Sequence, residues 1–282
     1  MKTIYNEKQY AERSLIKKQI DKKNGLTLAI LCKYYFFEKN KNKKQILKLL
    51  SKFIDEAGGI YDKELLPELV EKYTLENTKL PDVGSIRITL DEIAVILSRD
   101  NVSQQKLLFA MLVTYKFKNE RCKMIEELKQ YADNCVINNP LSEYFKDTKV
   151  KYSRDNKRLI GEAYRDGLIS LDDNNKKFDM IKLNFVNEDS PTAFEVKWQN
   201  DIWVDLEIYK GNKQYRRCEC CGDAIKLKKS KVNGDVSKYC SDGCKKYMNK
   251  LRVAKYRDKN VINADAWNHW YYHVFEDFEF AI

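Results

Sequence analysis

The chemistry legible in this chain lies near its C-terminal end. Cys218 and Cys221 are separated by two residues and followed by Gly222; Cys240 and Cys244, beyond a stretch of eighteen residues, are separated by three. Deprotonated cysteines hold Zn2+ tetrahedrally, and two short-spaced pairs are the sequence form of a four-thiolate site. A Cys-x-x-Cys turn places two sulfurs on one ion while backbone N–H groups point at them, and the glycine after it permits the tight left-handed turn this needs. Cys240 and Cys244 are about one helical turn apart, so both can face the same ion at the head of a helix, where the helix dipole favours their negative charge. Four thiolates leave no coordination position for water. The spacing therefore predicts one structural Zn2+, not a catalytic one. Cys220 could replace Cys218 only by abandoning the two-residue spacer, and it ranks as a non-ligand.

The residues around these cysteines are strongly basic. Residues 208–259 hold 16 Lys and Arg against 5 Asp and Glu, more net positive charge than the +10 of the whole chain. Residues 224–239 are expected to form a hairpin turning at Asn233-Gly234 or Gly234-Asp235. Its first arm carries Lys226, Lys228, Lys229 and Lys231. From Cys244 a helix should run to about Arg257, with Tyr247, Leu251 and Ala254 inward and Lys245, Lys246, Lys250, Arg252, Lys255 and Arg257 in solvent. The order of knuckle, hairpin and Cys-x-x-x-Cys at a helix start resembles a treble-clef zinc finger. The stretch Tyr239-Cys240-Ser241-Asp242-Gly243-Cys244-Lys245 is similar to short treble clefs of many bacterial and phage proteins. That resemblance covers about 40 residues and implies a nucleic-acid-binding or protein-docking module. The whole layout, a helical region before a C-terminal Cys-x-x-Cys-Gly module, resembles uncharacterised phage and plasmid proteins of AT-rich bacteria, and no function comes with that likeness.

Length and composition bound the rest. The 282 residues suffice for about two domains, and 43% hydrophobic with 33% charged residues describe a globular protein. The longest apolar run, residues 26–37, is too short to span a membrane, and the first residues lack the apolar core of a signal peptide. A reducing, cytoplasmic location in a bacterial cell is expected, where thiols are free or metal-bound. A second basic block, 14 basic against 6 acidic residues, lies in 1–56. Basic blocks favour polyanions. Lys outnumbers Arg 41 to 11, as an AT-rich genome would encode, so part of the charge is solvated surface.

The elements that must position these groups are mainly helical, with small β elements. Residues 1–80 read as a helical region: a polar helix over 6–23 closed by Gly25, a buried helix over 26–37, a helix over 43–55 capped by Asn40 or Asn42 and ended by Gly58-Gly59, and a short helix over 62–73 bent or restarted at Pro67. Pro81 and Gly84 mark a boundary. In 85–207, a strand at Ile86–Ile88 runs into a capping box, Thr89 with Glu92. The apolar helix over 101–117, with Leu107, Leu108, Met111, Leu112 and Tyr115 inward, reads as the core of the molecule. A further helix is expected over 120–134. Leu141–Phe145 is a short turn of helix. A helix from Ser153 to Tyr164 follows, with Leu159, Ile160 and Ala163 inward and Arg154, Lys157, Arg158 and Arg165 outward, ended by Gly167. Strands at 168–171 and 178–186 come next, joined through Asp172 and Asp173. A helix followed by a two-stranded hairpin is the back half of a winged helix, with Arg154, Lys157 and Arg158 on its recognition helix. Strands are also expected at 193–198 and 202–209. Residues 208–259 form the zinc module.

The acidic, aromatic tail, 260–282, carries Trp267, Trp270, Tyr271 and Phe275 at helical spacing and reads as a packed helix or a partner-docking segment. The only histidines, His269 and His273, lie within it and lack the glutamate of a zinc-hydrolase motif. Cys32, Cys122 and Cys135 read as small core residues, and Asp91, Glu92, Glu126 and Glu127 as solvated helix positions. No phosphate-cradling glycine loop or catalytic histidine constellation is present, so no enzyme activity is expected. Two functions remain: non-enzymatic DNA or RNA binding in transcription control or replication of a phage or plasmid, or a protein-binding inhibitor or adaptor, such as an anti-defence protein, that docks on a host nucleoprotein complex.

Overall fold

The computed structural model describes residues 4–20, 24–58, 61–75, 80–134, 136–138, 140–171, 180–227 and 238–260, the side chains of 24 and 255–260 excepted. Two compact units emerge: Lys8–Leu80 with Cys218–Cys221 and Ser237–Ile282, and Met1–Glu7 with Pro81–Arg217 and Gly222–Val236.

The first unit opens with α1 (Glu7–Lys17). It stops short of the expected 6–23 because Lys18 turns left-handed at φ 49°. The Lys18 N–H then bonds the Leu15 carbonyl (3.3 Å) and the Gln19 N–H that of Ser14 (3.2 Å), the paired closure of a Schellman motif. Gly25 does not end this helix; it lies in the first turn of α2 (Asn24–Lys33). Leu28, Ala29, Ile30, Leu31 and Cys32 are buried on α2, which passes into a π-helical turn at Tyr34–Glu38. Helix α3 (Lys43–Ala57) begins with a capping box, Asn42 and Gln45 bonding each other's backbone N–H at 3.0 Å, and ends at left-handed Gly58. Its inward residues, Ile46, Leu50, Phe53 and Ile54, follow helical spacing. A single 3-10 turn (Lys63–Leu65) precedes α4 (Leu66–Tyr73), which restarts with Pro67 in its first turn, where the missing N–H costs nothing.

The second unit is built on a helix buried on all sides. Strand β1 (Ile86–Thr89) leads into α5 (Leu90–Leu97), and then comes α6 (Val102–Met124), along which residues 107–113 are at most 1% exposed. Helix α6 runs seven residues past Phe117, and the separate helix expected over 120–134 is its end plus a 3-10 stretch, Glu126–Tyr131. Next come β2 (Val136–Ile137), α7 (Leu141–Thr148), α8 (Arg154–Arg165), β3 (Ile169–Leu171) and β4 (Ile181–Leu183). Ser153 caps α8 and Gly167, at φ 72°, closes it. Strands β2, β4 and β3 form an antiparallel sheet in that order. Strand β5 (Thr192–Val196) pairs antiparallel with β1, Ile86 opposite Val196.

The strand expected at 202–209 is instead a helix, α9 (Trp203–Tyr209). Its alternating Val204, Leu206 and Ile208 imitate a strand, but Trp203, Val204, Leu206 and Glu207 are the buried residues, and Ile208 is 40% exposed. Burial at i, i+3 and i+4 against α6 decides the conformation over the local alternation. Strands β6 (Tyr215–Arg217) and β7 (Ala224–Lys226) form a small antiparallel hairpin.

Glu92 corrects a second expectation. It caps α5 as predicted, but it is fully buried, not solvated. Its carboxylate accepts the Thr89 and Asn187 N–H groups (2.9 and 3.2 Å) and lies 2.9 Å from Lys116 Nζ on α6. Lys116, also buried, reaches Glu188 at 3.1 Å, though neither of its ion pairs has hydrogen-bond alignment. This ion pair fixes α5 and the 187–188 segment to the central helix. Removing one partner strands a charge in the core. Lys116→Ala is expected to destabilise this unit by about 3–5 kcal/mol in urea unfolding, whereas Lys116→Met combined with Glu92→Gln recovers most of the loss. A Lys116→Ala effect below about 1 kcal/mol would contradict the account.

Candidate metal centre

The Sγ atoms of Cys218, Cys221, Cys240 and Cys244 all lie within 4.8 Å of one another. Cys240 is 3.4 Å from Cys221 and 3.6 Å from Cys244. Tetrahedral coordination with metal–sulfur bonds of ~2.3 Å requires sulfurs ~3.8 Å apart, and both spacings fall within a few tenths of an ångström of that edge. The site belongs wholly to the first unit.

Local backbone chemistry assembles it. The Glu219 N–H bonds the Lys238 carbonyl (3.1 Å) and so fastens the knuckle to the approach of the second pair. The Cys240 N–H points at Cys218 Sγ (3.4 Å). Ser241 accepts the Cys244 N–H at 3.3 Å and so caps α10 (Asp242–Asn260), which places Cys244 in the first turn. Cys218, Cys221 and Cys244 are buried, and Cys240 is the outermost.

The thiols themselves call for a cation. Burial raises the Cys218 thiol, but N–H groups of Cys221, Cys240 and Cys220 outweigh it and bring the group down to about 7. Burial drives Cys221 up, with the thiol of Cys240 adding to the rise and Lys17 opposing it. Cys240 is likewise raised, chiefly by burial. One thiolate forms readily at Cys218, while burial, and then like charge in so small a volume, makes Cys221 and Cys240 resist ionisation. A dication removes that conflict. The donor set fits one structural Zn2+, held by these four residues, which would tie the knuckle to α10 and supply no reactive position. Cys220 is pushed up to about 12, by burial first and then by Cys244 and the other thiols, and it stands outside the cluster.

Arg217, at the end of β6, donates to the carbonyls of Asn200, Asp201 and Gly222 (2.7, 3.0 and 2.9 Å) and to both carboxylate oxygens of Asp205 (3.1 and 2.6 Å). Gly222 has φ 70°, and a Cβ there would fall 1.8 Å from the Trp198 ring. Two demands therefore exclude any side chain: the left-handed backbone and the indole.

Of the hairpin expected over 224–239, the described residues include β7, part of its first arm, which pairs with β6, and residues 238–240, which are bends; residues 228–237, with the turn, lie outside the described residues. Lys226 is exposed, its ammonium 5.9 Å from the Tyr215 ring. Lys245, Lys246, Lys250 and Arg252 are exposed on α10, while Tyr247, Leu251 and Ala254 are half-buried. Arg154, Lys157 and Arg158 are exposed on α8; Lys157 lies 4.1 Å from the Tyr152 ring and Arg158 pairs with Glu162 at 3.2 Å. Cys32 and Cys122 are buried as expected. Lys228, Lys229, Lys231, Cys135, Trp267, His269, Trp270, Tyr271, His273 and Phe275 lie outside the described residues, as do the side chains of Lys255 and Arg257. Sequence reasoning missed Arg217, which has no local signature, and Ser241, whose position three residues before Cys244 is a capping signal.

No helix among the described residues is long and apolar enough to cross a membrane. No protein-family model matches the chain, and no curated protein and no solved structure matches it.

Removing a ligand should unmake the site and removing Cys220 should not. Cys221→Ser is expected to lower bound zinc from one equivalent per chain to below about half, while Cys220→Ser keeps the full equivalent, as metal analysis of dialysed protein would read. Gly222→Ala is expected to destabilise the second unit by roughly 2–3 kcal/mol through the Trp198 clash and the backbone strain, seen as a lower denaturation midpoint.

Proposed function

We propose that the protein is a non-enzymatic, zinc-containing nucleic-acid-binding protein. The observation that carries this reading is the exposed row Lys245, Lys246, Lys250 and Arg252 on the helix whose first turn holds a metal ligand. Zinc fixes where α10 begins, and the charges that follow are presented on a rigid element rather than a loose chain. They belong to a block, 208–259, with 16 basic and 5 acidic residues, a composition suited to a phosphate backbone.

A second support comes from the order α6, β2, α7, α8, β3, β4 with the sheet order β2-β4-β3. This is the chain order of a winged helix: a helix, a strand, two helices, and a hairpin that pairs with the first strand. In that reading α8 is the recognition helix, and its outward Arg154, Lys157 and Arg158 are the groups for a major groove. The treble-clef resemblance of the four-cysteine module points the same way. The likeness of the layout to phage and plasmid proteins supplies the setting, transcription control or replication of a mobile element.

Binding of this kind is dominated by charge neutralisation at phosphates and weakens steeply with salt. The zinc-loaded protein is expected to bind a short duplex or single strand at low salt, with the logarithm of affinity falling linearly against that of salt concentration. Replacing Lys245, Lys246, Lys250 and Arg252 by Gln should flatten that slope by about 0.7–0.9 for each phosphate no longer neutralised, while zinc content is unchanged. Undetectable affinity for both forms at low salt would overturn the reading. One stoichiometric protein partner that survives nuclease treatment would favour the docking adaptor instead.

A further inference from the structure

The second unit contains a cavity of about 370 Å³ that nucleic-acid binding through α10 does not use. Its wall includes three lysines from two parts of the chain: Lys106 in the second turn of α6, and Lys149 and Lys151 in the segment between α7 and α8. They do not converge by accident of flexible side chains. Lys106 Nζ sits 4.7 Å and Lys149 Nζ 5.2 Å from the centre of the Trp203 ring, and Trp203 is 94% buried at the head of α9. Cation–π attraction to a fixed indole holds both lysines at stations they would otherwise leave. Each has one carboxylate as well, Glu207 at 3.3 Å from Lys106 and Asp201 at 3.7 Å from Lys149. Lys151 has no ion pair among the described residues. Three ammoniums against two carboxylates leave the cavity positive, and its floor includes Ser103 in the first turn of the 23-residue α6, where the helix dipole adds to the potential.

Lys149 carries a further sign. It closes α7 in the left-handed conformation, φ 56°, at the position where glycine is the ordinary choice. Gly167 and Gly211 take that role at the ends of α8 and α9. A lysine at such a position costs backbone strain, and here its side chain is the one beside the indole.

The geometry points to a binding site for a phosphate group of a phosphorylated ligand, held by Lys106, Lys149 and Lys151 with the Ser103 hydroxyl as an added donor. A phosphate takes several cationic donors at once, and charge-assisted bonds from pre-placed ammoniums are the strong kind. The volume exceeds that of a phosphate alone, so a nucleoside, sugar or chain is attached to it. A free phosphorylated small molecule and a polynucleotide backbone both offer this group. The site is distinct from the α10 cations and stands or falls without them.

The test is calorimetric titration of the full-length, zinc-loaded protein with inorganic pyrophosphate at low ionic strength. One saturable site per chain is expected. Lys151→Gln and Lys149→Gly should each weaken it about tenfold, the loss of one charge-assisted bond. Lys149→Gly also removes the left-handed strain, so its denaturation midpoint should stay equal or rise, which separates lost binding from lost folding. A protein altered at Lys245 and Lys246 should bind pyrophosphate as before. Competition by a short oligonucleotide duplex would assign the phosphate to a nucleic-acid backbone, and its absence, with competition by a nucleoside monophosphate, to a free small molecule. No saturable binding, or binding that Lys149→Gly and Lys151→Gln leave unchanged, would overturn the proposal.

Discussion

Four thiols crowded within 4.8 Å cannot all carry charge unless a cation sits among them, and the arrangement of the cysteine module depends on that constraint. The sulfurs come from two short segments separated by eighteen residues. Among the described residues, the Glu219–Lys238 backbone bond and the Cys240 N–H aimed at Cys218 Sγ join the knuckle to the second cysteine pair. These bonds shape the site but are too few to fix it. Coordination supplies the rest, because metal binding to a site absent from the unfolded chain is itself folding free energy. A tetrathiolate zinc centre carries net negative charge, and Lys17 lies close enough to Cys221 to act on it electrostatically. Lys17 thus has an electrostatic task at the cysteines before any partner is considered.

The second unit solves a different problem. Its centre, α6, is apolar all round over residues 107–113 and must be covered on every face there, which α5, α7, α8, α9 and two strands do. That enclosure buries Glu92 and Lys116 together, and the pair survives because the carboxylate also accepts two backbone N–H groups. The same enclosure sets α9 beside the N-terminal end of α6. Trp203 and Glu207 then meet Lys106, and the basic cavity follows from how the core is wrapped.

Local signals were readable where the chemistry is local. The cysteine spacing gave the four ligands and demoted Cys220; Asn42, Thr89 and Ser153 announced helix starts; Gly58 and Gly167 announced ends. Helix ends made by Lys18 and Lys149 were hidden, since a lysine in the left-handed region has no compositional mark. Helix α9 was hidden by an alternating pattern that tertiary burial overrides. The β1–β5 pairing joins residues more than a hundred positions apart, and nothing near Ile86 names Val196 as its partner. Arg217 and the lysines of the cavity were illegible for the same reason: each works through residues that only the fold brings near.

The most direct test of the central constraint is X-ray absorption at the zinc edge on the full-length protein. Four sulfur scatterers at about 2.3 Å, with no oxygen or nitrogen shell, are predicted, and the spectrum should be the same for Cys220→Ser. A shell with fewer than four sulfurs, or one that changes when Cys220 is replaced, would contradict the assignment of Cys218, Cys221, Cys240 and Cys244 as a closed structural site.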